Sequence, residues 1–390
     1  MKKIITFAIT LILAVTCFAL PASAATDKQV SDAVKAGADF IYAATTSPAF
    51  NDEWNLYALY EAGYSLPAEY VEGYMAQIEK KVKESDGILS EKKYTEYSRL
   101  ILTMTVLGLD PTDVAGYNLV EKLSDYDAVC YQGLNGPIWA LIAINSGFYT
   151  CEAEDKYVET VLNAQLSDGG WSFSGKDADP DMTAMAMYAL SPYYRDGNVK
   201  DALNKGVACL SKLQNADGSY SSYNTPNSES TAWVIKTLSR LGINPNTDSR
   251  FKKNGKSVVD ALLKFQLESG AFMHRQGSLA NGMATQQAVY SLGEYAMWIP
   301  KKGAVSSAKK STSTKVKVTC KSAGTDGYQI VIAKNKSFSS GKKTYTGSNR
   351  TKMFTTLTKG KTYYVKVRGY NVISGKKVYG LYSSVKTVKL

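Results

Sequence analysis

The stretch QLSDGGWSFSGKDADPDMTAMAMYAL, residues 165–190, joins a glycine turn to the start of an apolar helix. Its first seven residues recur in weaker form at 214–220 and 266–272, and the intervals of 49 and 52 residues are typical of repeat proteins. Asp-Gly and Ser-Gly allow the positive φ that a tight reversal after a helix requires. Because an apolar helix follows each turn, one unit is predicted to be a helix, a glycine turn and a second helix.

Apolar residues at helical spacing continue upstream of the clear repeats, and Gly, Pro or Asp stands at the breaks. The pattern predicts about twelve helices, which make six pairs. Six helical hairpins that curve as they stack can close into a double ring, an all-α α6/α6 toroid. The predicted helices are residues 27–46, 53–64, 67–84, 94–108, 116–123, 136–147, 156–165, 180–190, 197–214, 228–242, 255–266 and 280–297.

Residues 1–24 have the pattern of an export signal peptide. Lys2 and Lys3 precede the apolar run Ile4–Leu20, and Ala22-Ser-Ala24 offers the small residues that a signal peptidase accepts. No other apolar run is long enough to span a membrane. We therefore expect a secreted, extracellular protein that is associated with the cell wall.

The charge divides the remaining chain into two modules. Residues 25–300 carry a net charge of −11, whereas residues 301–390 carry +20. Lys301–Thr314 is rich in Lys and Ser and is predicted to be a linker, and residues 304–390 alternate in type as β-strands do. The predicted strands are residues 315–320, 327–332, 352–357, 362–368 and 384–389.

Four cysteines remain after the signal, and they lack the spacing of a metal site. Both a Cys130–Cys151 disulfide and free thiols are compatible with the sequence. No metal ion and no cofactor is predicted.

The repeated motif with its Thr-Ala helix starts resembles the prenyltransferase and squalene-oxidase repeat, over residues 25–300. That resemblance implies the α/α toroid of terpenoid cyclases, protein prenyltransferase β-subunits and cobalamin carriers. The basic module resembles a fibronectin type III domain, because Leu357, Tyr363, Val365 and Val367 follow its L-x5-Y-x-V-x-V spacing. This implies an all-β sandwich with Tyr363 in a tyrosine corner and Cys320 in place of the usual core Trp.

Asp179-Pro-Asp-Met-Thr-Ala184 resembles the D-x-D-D-T-A motif of the cyclases. The resemblance implies that Asp181 donates a proton to an alkene and that Asp179 supports it, although Met182 replaces the last carboxylate. The alternative is that both aspartates cap the helix that begins at Pro180.

His274 is the single histidine of the chain and has no Cys nearby in sequence, so the Asp, Cys and His ligands that hold zinc in the prenyltransferases are not assembled. Together with Arg275 it could act in a polysaccharide lyase, since toroids host such enzymes, or it is an exposed loop residue.

Ligand binding fits the composition better than catalysis, because the loops after the glycine turns would ring one mouth of the central cavity. Trp171, Tyr220 and Phe272 recur at equivalent places and are predicted to pack between repeats. We expect a glycan, peptide or cofactor to occupy the cavity. The predicted contacts are Phe173, Asp177, Tyr223, Glu229, Arg275 and Gln276.

The basic module offers few titratable groups other than Lys and Arg, so a tether is a better prediction than catalysis. Its charge favours anionic cell-envelope polymers, and the export signal argues against nucleic acid. The sequence thus predicts a ligand-binding toroid with a basic tether, with a toroid enzyme as the alternative.

Overall fold

The computed structural model describes residues 24–298, 304–321, 325–336, 338–373, 376–379 and 382–390. The predicted export signal lies outside these residues, apart from Ala24. Within the described ranges, no helix has the length and apolar character that a membrane crossing requires.

The first module is helical, as the sequence pattern predicts. Most predicted helices agree with the observed ones to within a few residues at each end. The helices are α1 Asp27–Ala44, α2 Glu53–Glu61, α3 Ala68–Glu84, α4 Thr95–Val106, α5 Tyr126–Cys130, α6 Asn135–Gly147, α7 Glu154–Asn163, α8 Pro180–Leu190, α9 Gly197–Leu213, α10 Ser228–Arg240, α11 Val258–Leu263 and α12 Gly282–Trp298.

The predicted helix over residues 116–123 is wrong. The Asn118 side chain accepts hydrogen bonds from the backbone N–H groups of Val120 and Glu121, at 3.0 and 3.4 Å. Such a local bond offers the backbone an alternative to the helix. The helix α5 begins only at Tyr126, where the Asp125 carboxylate caps it by accepting from the Ala128 N–H at 3.1 Å.

Another predicted helix, over residues 255–266, is shorter in the structure. A small hairpin of β3 Lys252–Lys253 and β4 Lys256–Ser257 takes up its first part. Ser257 then caps α11 by accepting from the Asp260 N–H at 3.0 Å. A second hairpin, β1 Tyr220–Ser222 and β2 Thr225–Asn227, follows the second glycine turn.

The even-numbered helices α2 to α12 contact one another in cyclic order. Each packs against the next, and α12 packs against α2. Among the odd-numbered helices, α1 contacts both α12 and α2, α7 contacts α6 and α8, α9 contacts α8, and α11 contacts α10.

The aromatic residues of the three glycine turns occupy equivalent surroundings. Trp171, Tyr220 and Phe272 are completely buried. The Trp171 indole N–H donates to the Val161 carbonyl at 2.7 Å, and the Tyr220 hydroxyl donates to the Leu210 carbonyl at 2.8 Å. The Trp171 and Tyr220 rings thus fold back over the helices that they leave.

A threonine in the first turn of the following helix holds the other side of each motif. The hydroxyls of Thr183, Thr231 and Thr285 accept from the backbone N–H of the turn's aromatic residue, at 2.9, 3.1 and 2.9 Å. The turn's aromatic residue and the threonine of the next helix therefore recur together in the sequence because they form the same contact in each unit.

The glutamine of each motif connects its own turn to another part of the domain. Gln165 donates to the carbonyls of Gly169 and Ala202, both at 2.8 Å. Gln214 repeats this with Gly218 and Phe251, both at 3.0 Å. A Cβ on Gly270, in the third turn, would lie 2.3 Å from the Ala36 carbonyl oxygen of α1, so only glycine fits there.

The C-terminal module consists of two antiparallel sheets. One has the strand order β5–β6–β9, and the other has the order β11–β10–β7–β8 with β12 paired to β10. The strands are β5 Val305–Thr312, β6 Lys315–Cys320, β7 Gly327–Ala333, β8 Lys343–Gly347, β9 Thr351–Phe354, β10 Thr362–Ile373, β11 Lys376–Tyr379 and β12 Lys386–Lys389.

Most of the predicted linker is wrong, because Val305–Thr312 is strand β5 and pairs with β6. Its Val305 and Ala308 side chains pack on the core, and Lys309 and Lys310, which follow Ala308, are exposed. Cys320 is buried in that core, as predicted. The Thr358 N–H donates to the buried Tyr363 hydroxyl oxygen at 2.9 Å, which is the expected tyrosine corner. Cys130 and Cys151 are free thiols.

Candidate functional site

A cavity of about 620 Å³ opens at the N-terminal ends of the even-numbered helices. Each of the six contributes side chains from its first or second turn, so their backbone N–H groups and positive dipole ends surround it. The lining residues are Trp54, Thr95, Arg99, Gln132, Asn135, Trp139, Asp181, Met185, Ser222, Tyr223, Thr225, Asn227, Glu229, Trp233, His274, Arg275, Met283, Gln286, Gln287 and Tyr290.

Four aromatic rings form the deep end of this cavity, here called the aromatic floor: Trp54, Trp139, Trp233 and Tyr290. Their ring centroids are separated by 4.8 Å between Trp54 and Trp139, and by 5.7 Å between Trp139 and Trp233. Tyr290 lies 5.7 Å from Trp233 and 6.4 Å from Trp54, which closes the circuit. The floor therefore joins helices α2, α6, α10 and α12.

Asp181 is the carboxylic acid of the cavity wall. Its Oδ1 atom is buried and accepts no hydrogen bond of normal geometry. Burial, with a smaller contribution from the Asp179 and Glu229 charges, raises the pKa of Asp181 to about 7, although the nearby Ser230 hydroxyl opposes this. Near neutral pH part of the population of this side chain is therefore protonated, and the protonated acid can donate a hydrogen bond or a proton.

Asp179 has a different role from Asp181. Its Oδ1 atom accepts from the Met182 N–H at 3.0 Å, which caps α8, and its Oδ2 atom accepts from the Ser222 hydroxyl at 2.9 Å. Both oxygens are thus occupied, and Asp179 does not line the cavity. The capping alternative describes Asp179, whereas Asp181 faces the cavity.

His274 and Glu229 form a pair at the cavity rim. The His274 Nδ1 atom lies 2.9 Å from both carboxylate oxygens of Glu229. The Ser228 hydroxyl also donates to Glu229, at 3.2 Å, and the Ser228 N–H donates to the His274 carbonyl at 3.1 Å. His274 thus lies in a loop with 41% of its side chain exposed, and its ring is held against the start of α10.

Arg99 is anchored on the opposite wall. Its Nε atom lies 2.8 Å from the buried Glu53 carboxylate, and its Nη2 atom donates to the Asn51 side chain at 2.8 Å. Burial raises the pKa of Glu53, and the Arg99 charge opposes that rise.

Of the residues singled out in the sequence, Asp181, Tyr223, Glu229, His274 and Arg275 line the cavity. Phe173, Asp177 and Gln276 do not, because their loops turn these side chains towards solvent. In Phe173, 58% of the side chain surface is exposed.

The aromatic floor and Arg99 were not predicted from the sequence. The repeat does not single out these residues, because the units that contain Trp54, Trp139 and Arg99 lack a clear glycine motif. A usable signal exists, since an aromatic residue recurs within the first three turns of α2, α6, α10 and α12.

A buried ionic cluster lies farther along the same helices. The Lys236 ammonium contacts Glu294 at 2.5 Å and Glu61 at 3.5 Å, and Arg240 contacts Glu294 at 2.8 Å. The Lys236 nitrogen also lies 5.0 Å from the centroid of the Tyr290 ring, which belongs to the aromatic floor. Cavity, floor and cluster thus follow one another along the helices. Among the described residues, no group of three or more His, Cys, Asp or Glu side chains could hold a metal ion.

Comparison with solved structures identifies the fold of the helical module. No family model and no curated protein sequence matches the chain. A variant of the type II terpene cyclase MstE from Scytonema is similar over 70% of this chain and 99% of its own, with 14% sequence identity and a TM-score of 0.50. The helical module has a terpene cyclase-like fold. At this identity the similarity shows the fold and not the activity.

Two further solved structures are similar. ent-Copalyl diphosphate synthase from Streptomyces platensis is matched over 63% of this chain and 50% of its own, at 16% identity and a TM-score of 0.43. The FN5 domain of Drosophila Lar is matched over 23% of this chain and 96% of its own, at 22% identity and a TM-score of 0.20. The structural neighbours of the C-terminal module thus include fibronectin type III domains.

Proposed function

We propose that the helical module is a closed α6/α6 toroid whose cavity binds a small organic ligand. The observation that carries this proposal is the aromatic floor, a closed circuit of four rings beneath the ends of six helices. The cyclic order of helix contacts supports the toroid. A cavity of about 620 Å³ is within the range of small-molecule sites.

The chemistry of the lining supports a ligand with both an apolar face and several hydrogen-bonding groups. The rings of the floor offer flat apolar surfaces. Around the mouth, the amide groups of Gln132, Asn135, Gln286 and Gln287 offer donors and acceptors, and Arg275 offers a positive charge. This combination suits a glycan or a short peptide better than a purely hydrocarbon ligand.

Isothermal titration of the purified chain with a panel of oligosaccharides and short peptides would test this proposal. We expect one ligand class to bind and to quench tryptophan fluorescence. Trp139→Leu should weaken that binding by about fivefold, since stacking on one ring contributes on the order of 1 kcal/mol. Phe148→Leu is the matched control, because Phe148 is 91% exposed and is not part of the lining. Equal weakening by both variants, or binding unaffected by Trp139→Leu, would contradict the proposal.

Proton transfer by Asp181 is a second candidate function. A buried carboxylic acid that is protonated near neutral pH, with an unpartnered oxygen, faces aromatic rings that can stabilise a cation. A type II cyclase complex contains geranylgeranyl dihydroxybenzoate as substrate, and this compound is a suitable probe. If the chain converts it to a product of equal mass and Asp181→Asn abolishes conversion, the enzyme alternative is correct. If the compound is recovered unchanged, the binding function stands.

We further propose that the protein is exported and that its basic module attaches it to an anionic envelope polymer. The pattern of residues 1–24 supports export, and the net charge of +20 on residues 301–390 supports attachment. Lys309, Lys315 and Lys317 lie exposed on neighbouring strands β5 and β6. Replacing all three with Gln in the full chain should weaken binding to a teichoic acid, measured at several salt concentrations. Binding that is insensitive to salt would contradict attachment by charge.

A further inference from the structure

The first residues of the helical module are held by residues near its C-terminal end. The Ala25 backbone nitrogen donates to Asp260 Oδ1 at 2.7 Å, and the Ala25 carbonyl accepts from the Asn246 side-chain amide at 2.7 Å. Asp260 belongs to α11 and Asn246 to the loop after α10. Ala25 also directly precedes Thr26, which caps α1.

The Asp260 carboxylate is fixed in place independently of Ala25. Its Oδ2 atom accepts from the Ser257 N–H at 2.9 Å, and the Asp260 N–H donates to the Ser257 hydroxyl at 3.0 Å. That hydroxyl in turn donates to the Asn246 side-chain oxygen at 2.8 Å. Capping of α11 therefore needs Oδ2 alone, and Oδ1 is free to bind the nitrogen of Ala25.

We propose that the chain is cut between Ala24 and Ala25 and that Asp260 and Asn246 form a binding site for the new N-terminus. This inference rests on the proposed export. A signal peptidase would hydrolyse the Ala24–Ala25 amide bond: the oxygen of water joins the Ala24 carbonyl carbon, and its protons go to the Ala25 nitrogen. The products are a carboxylate on Ala24 and an ammonium group on Ala25.

The geometry supports this assignment because the cut changes the charge of the atom that Asp260 already contacts. A backbone N–H gives one neutral hydrogen bond, whereas an ammonium group gives a charge-assisted bond of about twice the strength. The partially exposed Asp260 carboxylate can pair with that charge without a large desolvation penalty. Asp27 of α1 and Tyr295 of α12 are further titratable groups close to this site.

The first test is the position of the cut. The full sequence is expressed in a bacterium that exports proteins, and the secreted chain is analysed by intact mass and N-terminal sequencing. A chain that begins at Ala25 supports the inference. A secreted chain that begins elsewhere overturns it but leaves the proposed export intact. A chain that stays in the cytoplasm contradicts the export proposal itself.

The second test measures the pairing, with chains that begin at Ala25 or carry one extra Gly before it. The extra residue moves the ammonium group away from Asp260. We expect it to lower Tm by about 2 °C or more at pH 7, and to have little effect in an Asp260→Asn background. Because the carboxylate favours the charged amine, the difference should be present below about pH 8 and disappear at higher pH. Equal Tm values for the two N-termini would overturn the pairing.

Discussion

Gln266 donates a hydrogen bond to the Ala33 carbonyl at 2.8 Å, across 233 residues of sequence. The same amide also donates to Gly270 of its own turn, at 3.0 Å. In the two earlier motifs the equivalent bonds of Gln165 and Gln214 reach forward along the chain. The third motif instead reaches back to α1, so α1 occupies the place of a following repeat.

Gln266→Leu is expected to destabilise the helical module by about 1–3 kcal/mol, since it removes two hydrogen bonds and leaves two carbonyls without this partner. Chemical denaturation would measure the loss. Gln165→Leu is the matched control, because it removes the equivalent pair of hydrogen bonds in a unit from the middle of the sequence. Hydrogen exchange should show that only Gln266→Leu loosens α1. Unchanged hydrogen-exchange protection of α1 would contradict the expectation that the Gln266 bond holds α1 in place.

The helical repeats could be predicted from sequence because their signals are local. A glycine with positive φ, an aromatic residue two positions later and a threonine in the next helix all act through contacts within one unit. Trp171 and Thr183, which are 12 residues apart, form such a contact, and the sequence period reflects its repetition. The repeat period, together with apolar residues at helical spacing upstream of it, therefore predicted most helices correctly.

The cavity lining could not be predicted in the same way, since it is assembled from six units that differ in sequence. Trp54 and Trp139 are 85 residues apart in sequence, and their contact depends on how helices α2 and α6 are arranged. Asp181 could be named because its motif resembles one in another family. Asp179 caps α8, whereas Asp181 faces the cavity. This difference depends on the direction in which each side chain points, and composition does not determine that direction.

Polar strands were missed for a related physical reason. Strand β5 lies at a sheet edge and buries Val305 fully and Ala308 only partly, so lysines and serines dominate its sequence. An edge strand with one buried face has few apolar residues, and charges on it discourage edge-to-edge association. The same composition is typical of a linker.

Asp181 should make the stability of the helical module depend on pH. Its pKa is about 7 in the folded chain and about 4 in the unfolded chain. Between these values the folded chain holds a proton that the unfolded chain has lost, so stability falls as pH rises from about 4 to 7. Asp181→Asn should remove this dependence and stabilise the protein above pH 7 by roughly 1–3 kcal/mol.

Thermal denaturation of the parent and Asp181→Asn chains between pH 5 and 8 would measure this effect. Asp177→Asn is the control, because Asp177 is exposed in the neighbouring loop and should leave the pH profile unchanged. If Asp181→Asn retains the parent profile, another group is responsible.

Tyr363→Phe is expected to destabilise the C-terminal module by about 1 kcal/mol, because the Thr358 N–H loses its acceptor at 2.9 Å. Tyr364→Phe is the matched control, since that side chain lies on the other face of β10. Denaturation of the full chain, monitored by one spectroscopic signal from each module, would distinguish unfolding of the helical module from unfolding of the C-terminal module. The helical module should unfold at an unchanged midpoint in both variants. Equal effects of the two substitutions on the C-terminal module would contradict a specific role for the tyrosine corner.

Lys236→Met should be the most destabilising of these substitutions, by about 3–5 kcal/mol, because it leaves buried carboxylates without their partner. Glu294 keeps its contact with Arg240 at 2.8 Å, so the loss of the Lys236 ammonium group destabilises the Glu61 carboxylate more than that of Glu294. Burial raises the pKa of Glu61, and the Lys236 charge opposes this rise in the parent chain. Lys80→Met is the control, since Lys80 belongs to an exposed pair with Glu84 and should have little effect.

A second substitution can separate the lost charge pairing from the lost packing. Glu61→Gln in the Lys236→Met background removes the unpaired carboxylate but leaves the methionine in place. We expect the double variant to recover part of the lost stability at pH 8, and less at pH 5, where a Glu61 of raised pKa is closer to neutral. A double variant that is no more stable than Lys236→Met would mean that Lys236 acts through its contacts with the rings of Tyr57, Tyr188 and Tyr290.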